Sequence, residues 1–292
     1  MYAPALALLS AALIGIGEFC AHFGLRRVRP LTGVFLGTCY QVLALSVFVA
    51  IWGDWDVGPW RSTALFFLVG VIHPGAYFVA LLNAIDRLGP TRAIMARSTS
   101  PFFAVALAVL FLAERPGFQV VLGLVLIVGG VMFLTKGTVG KGTRSGDWGI
   151  ALMAAFFSGL APAVTKAALN LGGRPVMGAL FAVIGGMVAI VAVNTVLERK
   201  TGGAFWIRRI PRPAVWLFLP MGVLTGLAYI TWFTALSVGS VSVVVPLVQL
   251  SPLFAIGMSR VFLRSEERID LRLLIAALVL VLGAVLVSLG RT

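Results

Sequence analysis

SPFFAVALAVLFLAER, residues 100–115, and SPLFAIGMSRVFLRSEER, residues 251–268, are two versions of one pattern set 151 positions apart. Each opens on Ser-Pro, runs through an apolar stretch to Phe-Leu, and closes on an acidic turn, Glu114-Arg115 or Glu267-Arg268. Upstream, Gly70-Val71 matches Gly222-Val223 and Ala76-Tyr77 matches Ala228-Tyr229, both at offset 152. Downstream, Val128-Gly129-Gly130-Val131 is answered by Leu282-Gly283-Ala284-Val285. One such match is weak, because apolar sequences agree by chance; a series in one order across four consecutive segments indicates duplication.

The duplicated pattern sits on apolar stretches of bilayer length, for which about 20 residues suffice. Ten occur, at 2–24, 31–51, 63–85, 92–113, 118–134, 148–169, 175–197, 214–236, 241–263 and 271–289. Barrel strands alternate and are about 10 residues long, so these runs are helices. Composition agrees: 60% hydrophobic and 11% charged residues exclude an ordinary soluble globule. Five spans per half is an odd number, so the second half enters the membrane from the opposite side. The expected fold is an all-α polytopic membrane protein of ten transmembrane helices in two inverted five-helix repeats. The first repeat takes residues 1–135, a linker 136–147, and the second repeat 148–292.

The net charge of +13 would suggest nucleic acid in a soluble chain, but sorting it by loop gives another meaning. Of 23 Lys and Arg, seventeen flank the turns after odd-numbered spans, from Arg26 to Arg272, and four (Arg61, Arg115, Arg174, Arg291) lie on the other face or at the termini. Basic loops stay in the cytoplasm, so charge alone puts both termini outside. The basic residues then anchor to the bilayer, and no nucleic-acid partner is expected. The first stretch lacks a basic n-region and carries Glu18, so it is expected to stay as a span. Cys20 and Cys39 have neither metal-ligand spacing nor the count of a disulfide framework, and no metal or cofactor is expected. Val139-Gly140-Lys141-Gly142-Thr143 in the linker lacks the full spacing of a phosphate loop.

With Pro101 and Glu114-Arg115 in one half and Pro252 and Glu267-Arg268 in the other, the chain resembles the EamA branch of the drug/metabolite transporter superfamily. The resemblance covers nearly the whole length. It implies a carrier of amino acids, other small metabolites or drugs, in the inner membrane of a cell, as a monomer or homodimer. It also implies both termini inside, opposite to the charge tally. The sequence departs from the family pattern in its first span, with Glu18 and His22 where a Trp-Gly start and a late Lys are common, and in the extra residues before Glu267.

An ionisable group inside a spanning helix costs about 2.5–3.5 kcal/mol on insertion scales and is a functional hypothesis by default. Glu18, with His22 one turn later on the same face, is assigned to proton coupling; Arg97 and Lys166 are assigned to an anionic or carboxylate-bearing substrate. Snorkelling to the interface is the competing reading for the two cations. His73 precedes Pro74 in the middle of the third span, where the helix is expected to kink. Tyr77, its repeat-mate Tyr229, Trp232, Ser100 and Gln249 complete the substrate-binding set, with interfacial belts and helix cross-links as the bland alternatives. The Glu-Arg pairs are assigned to turns, each favouring the dipole of the helix that follows.

These features predict a secondary transporter of a small metabolite working by alternating access, with proton coupling or exchange. A flippase for a lipid-linked intermediate is the alternative on the same fold. An integral-membrane enzyme is disfavoured, because no cluster of acids or metal ligands gathers at one membrane surface in the sequence.

Overall fold

The computed structural model describes residues 2–52, 55–135, 145–201, 212–263 and 271–290. The predicted linker segment 136–144, Asp54 and the Glu267-Arg268 turn lie outside the described residues. Among those described, regular structure is entirely helical: α1 (Tyr2–Leu25), α2 (Pro30–Trp52), α3 (Trp60–Gly70), a π-helical segment (Val71–Ala76), α4 (Tyr77–Leu88), α5 (Pro90–Arg97), α6 (Ser100–Leu112) and α7 (Phe118–Thr135) form the first half. The second half comprises α8 (Ser145–Asn170), α9 (Pro175–Thr201), α10 (Arg212–Leu217), α11 (Leu219–Val238), α12 (Val241–Val248), α13 (Ser251–Leu263) and α14 (Leu271–Leu289). Among the described residues eight helices are long and apolar enough to cross a membrane, and two shorter apolar ones, Phe118–Phe133 and Ile275–Leu289, complete the ten expected spans.

Lipid is as apolar as Leu, so helices in a bilayer associate by close packing rather than by hiding apolar surface. Large side chains such as Leu110, Phe111, Phe118, Val261 and Phe262 are accordingly left on the outside, while small residues set the helix contacts. The pairing joins the two halves: α1 packs on α11 and α13, α8 on the third span and α6, α7 on α14, α3 on α9, and α2 on α11. Two glycines mark the pseudo-symmetry. A Cβ on Gly159 would lie 2.6 Å from the Ser100 carbonyl oxygen and 2.7 Å from Phe103 Cβ; one on Gly15 would meet the Ser251 carbonyl and lie 2.8 Å from Phe254 Cβ. The inferred repeat therefore corresponds to equivalent interfaces in space, with α1 and α8 related at an offset of 144. Buried Phe218 faces Gly24 and Gly33 as buried Phe66 faces Gly173 and Gly178, another matched pair.

Three spans are interrupted. In the third, His73 has non-helical backbone (φ −138°, ψ 107°) ahead of Pro74, where the sequence predicted a kink. The fourth and ninth, expected as continuous helices, each divide at the Ser-Pro pair. The short turns there agree: Ser98 N–H donates to Met95 and Thr99 N–H to Ala96, as Gln249 N–H donates to Pro246 and Leu250 N–H to Leu247. Pro101 and Pro252 lack the N–H that would continue the preceding helix, and each suits the first turn of a new one.

Candidate functional site

Interrupted helices at membrane depth leave backbone groups without helical partners, which is tolerated where they are buried in protein or line a cavity. The interruptions at 71–76 and 97–100 bring the first repeat's ionisable residues together. Arg97 is the last residue of α5, His73 lies in the π segment, and Tyr77 opens α4. The Arg97 guanidinium is within hydrogen-bonding reach of the Tyr77 hydroxyl, and its charge acts on Glu18 of α1 and on His73. The His73 and Tyr77 rings stack with centroids 4.6 Å apart. Glu18 is exposed on α1, within the field of the Arg97 charge. Among the described residues no direct ion pair joins it to Arg97.

Tyr229 sits across from this group on α11. A cavity of about 130 Å³ is lined by His73, Pro74 and Phe78 on one side and by Thr38, Gln41, Thr225 and Tyr229 on others. Tyr229 also packs edge-on against Trp232, at 5.5 Å between centroids, and stacks on Phe233 at 5.9 Å. The Trp232 indole N–H is buried and has no partner, so it is a donor available to an acceptor. Gln249 and Ser100, one from each interrupted span, meet directly: the Gln249 side-chain amide donates to Ser100 Oγ at 3.1 Å. A larger groove of about 510 Å³ between α1, α13 and α14 is lined by Leu8, Leu250, Phe254 and other apolar residues with one hydroxyl, Ser288, and offers a polar solute almost nothing to bind.

Two predicted residues lie elsewhere. His22 is exposed near the end of α1, its ring against Phe23. Lys166 is not among Arg97's electrostatic neighbours; its ammonium donates to the carbonyls of Leu236, at 2.7 Å, and Gly239, at 2.8 Å. Those carbonyls belong to the C-terminal end of α11, where a cation satisfies otherwise unpaired acceptors and suits the helix dipole. Glu114 corrects an expectation. Its carboxylate does not serve the helix that follows it but crosses to the other repeat, accepting from the Val241 N–H (2.7 Å), the Ser242 N–H (2.9 Å) and the Ser242 hydroxyl (2.5 Å) at the start of α12. The signal in the sequence was the short Ser237–Ser240 turn, whose two helix ends needed partners from somewhere.

Outside the spans, Arg174 bonds Asp56 at 2.6 Å. The Gly58 N–H and then Arg174 hold the Asp56 carboxyl below its usual range, so this strap between the loops is complete at neutral pH and is lost as pH falls through that depressed value. Both side chains are exposed, so it contributes little to stability.

A family model described as the EamA-like transporter family matches residues 1–136 and 147–289. No curated protein matches. Among solved structures, 27 chains match. One, titled only "Crystal structure of protein", aligns with 98% of this chain and 96% of its own at a TM-score of 0.76 and 18% identity, a likeness of fold alone.

Proposed function

Because the chain belongs to the EamA-like transporter family, we propose that it is a secondary transporter carrying a small carboxylate-bearing metabolite through the centre of the two repeats by alternating access. The family is one of membrane transporters of small molecules, and the chain is a multi-pass membrane protein. The observation that carries the finer reading is the Arg97 group: a guanidinium at an interrupted helix, next to a tyrosine hydroxyl, with the exposed carboxylate of Glu18 in its field. Arg is suited to planar carboxylates because its fork donates two parallel bonds. Tyr77, Tyr229 and Trp232 supply ring faces for an apolar portion, and the free indole N–H supplies a donor. Glu18 would pair with an amine of a zwitterionic substrate or take the coupling proton. His73, Ser100 and Gln249 line or brace the same interrupted spans.

Uptake into proteoliposomes tests this reading. Vesicles preloaded with a mixture of amino acids and dicarboxylates should exchange at least one of them for its labelled form, and vesicles lacking the protein should not. Failure of every carboxylate, with exchange of a cationic drug instead, would overturn it.

We further assign the basic face to the cytoplasm of a cell whose inner membrane holds the protein, with both termini outside. A reporter fused after Thr292 and read from each side should report from the outside; a signal from the cytoplasm overturns the assignment.

A further inference from the structure

Among the described residues, one end of the molecule is fastened by two charged side chains. At the face opposite the basic loops, the turn between α11 and α12 is held from two directions. Glu114 of the first repeat accepts three hydrogen bonds at the start of α12, and Lys166 caps the end of α11 through Leu236 and Gly239. The two charges also attract each other across that turn. The same end brings α6 of one repeat against α12 of the other, whereas their mates, α13 and α5, make no comparable contact among the described residues. The offset of 144 between α1 and α8 makes His22 the mate of Lys166, and His22 is exposed where Lys166 is engaged. Arg97 lies eight residues into the fourth span counted from Pro90, towards the basic face and away from the turn.

We propose that Glu114 and Lys166 are the latch of the transport gate at the face opposite the basic loops. Together they fasten the α11–α12 turn while the cavity is open at the basic face, and both release it when the cavity opens on their side. The proposal rests on the alternating-access reading, and it gives the acidic turn of the first repeat a role that its own helix does not need. Ser240, in the latched turn, supplies the means of testing it: its hydroxyl is buried and has no partner, so Ser240→Cys loses no hydrogen bond and puts a thiol where only release of the turn exposes it.

In membrane vesicles, with Cys20→Ala and Cys39→Ser as background, a membrane-impermeant maleimide added at the latch face should modify Ser240→Cys slowly. Adding Glu114→Ala or Lys166→Met should raise that rate about tenfold, as expected for losing hydrogen bonds to a charged group. A second reporter, Val34→Cys, which lines the cavity beside His73, should in the same variants become several-fold slower to label from the basic face. An unchanged Ser240→Cys rate overturns the proposal, and so does a raised rate with Val34→Cys unaffected, which is local fraying of a capped turn. Where those variants do not fold, Ser242→Ala removes only the hydroxyl's bond to Glu114; a rise of about threefold is expected, and no rise overturns the proposal. Labelling needs no substrate, so the latch can fail while exchange stands, and exchange can be absent while the latch holds.

Discussion

Glu18→Gln is expected to lower uptake driven by a pH gradient by at least about 100-fold, the lower end of what a single proton-transfer group contributes to a step that needs it. Counterflow exchange, which needs no net proton movement, should persist in the same vesicles. The reason lies in where the carboxylate is. Glu18 is exposed on α1, lies within the field of Arg97, and among the described residues is not locked to it by a direct ion pair. A carboxylate so placed can alternate between a protonated state and a state facing a cation, which is what coupling requires. The amide keeps the size and much of the hydrogen-bonding capacity but takes up no proton at working pH. Equal loss of driven uptake and exchange would make Glu18 a substrate ligand, and undiminished driven uptake would remove it from the mechanism.

Arg97→Gln is expected to weaken binding of carboxylate probes about 100-fold, the loss of two charge-assisted hydrogen bonds. Arg97→Lys should recover about tenfold of that, because it restores the charge without the fork. The alternative assignment, a guanidinium that merely ties α5 to Tyr77 of α4, predicts a different pattern: the substitutions would lower thermal stability in proportion to any loss of binding. Equilibrium binding at a temperature well below unfolding separates the two, since only a ligand-contacting Arg97 changes affinity in protein that remains folded.

The ten spans and their duplication were legible because a bilayer imposes a length, and because the Ser-Pro and Glu-Arg signatures keep their order in both halves. The distortion at His73-Pro74 was legible for a local reason, the missing donor of proline. The divisions at Arg97–Ser100 and Val248–Ser251 were not. An apolar run gives no sign of where a helix stops when the residues on both sides suit a membrane, and a Ser-Pro pair starts a helix as readily as it divides one. The convergence of Arg97 and Glu18 could be entertained from the cost of burying each alone, which favours partners. The uses of Lys166 and Glu114 could not, because both depend on a turn from another part of the chain. Lys166 is 70 residues from the carbonyl of Leu236, and Glu114 is 127 from the amide of Val241. An unpaired charge in a sequence looks the same whether a substrate or a helix end is its partner.

The central claim is that a central, Arg97-based site takes a small carboxylate-bearing solute, and ligand-dependent thermal stability of the purified protein tests it most directly. The panel is amino acids, organic acids, phosphorylated metabolites and cationic drugs. A ligand at 100 times its Kd adds about 2.7 kcal/mol to stability by mass action. Stabilisation by one or more carboxylates, present in the native protein and absent in Arg97→Gln, is the predicted result. Stabilisation by cations alone, or by carboxylates equally in both proteins, would contradict the claim.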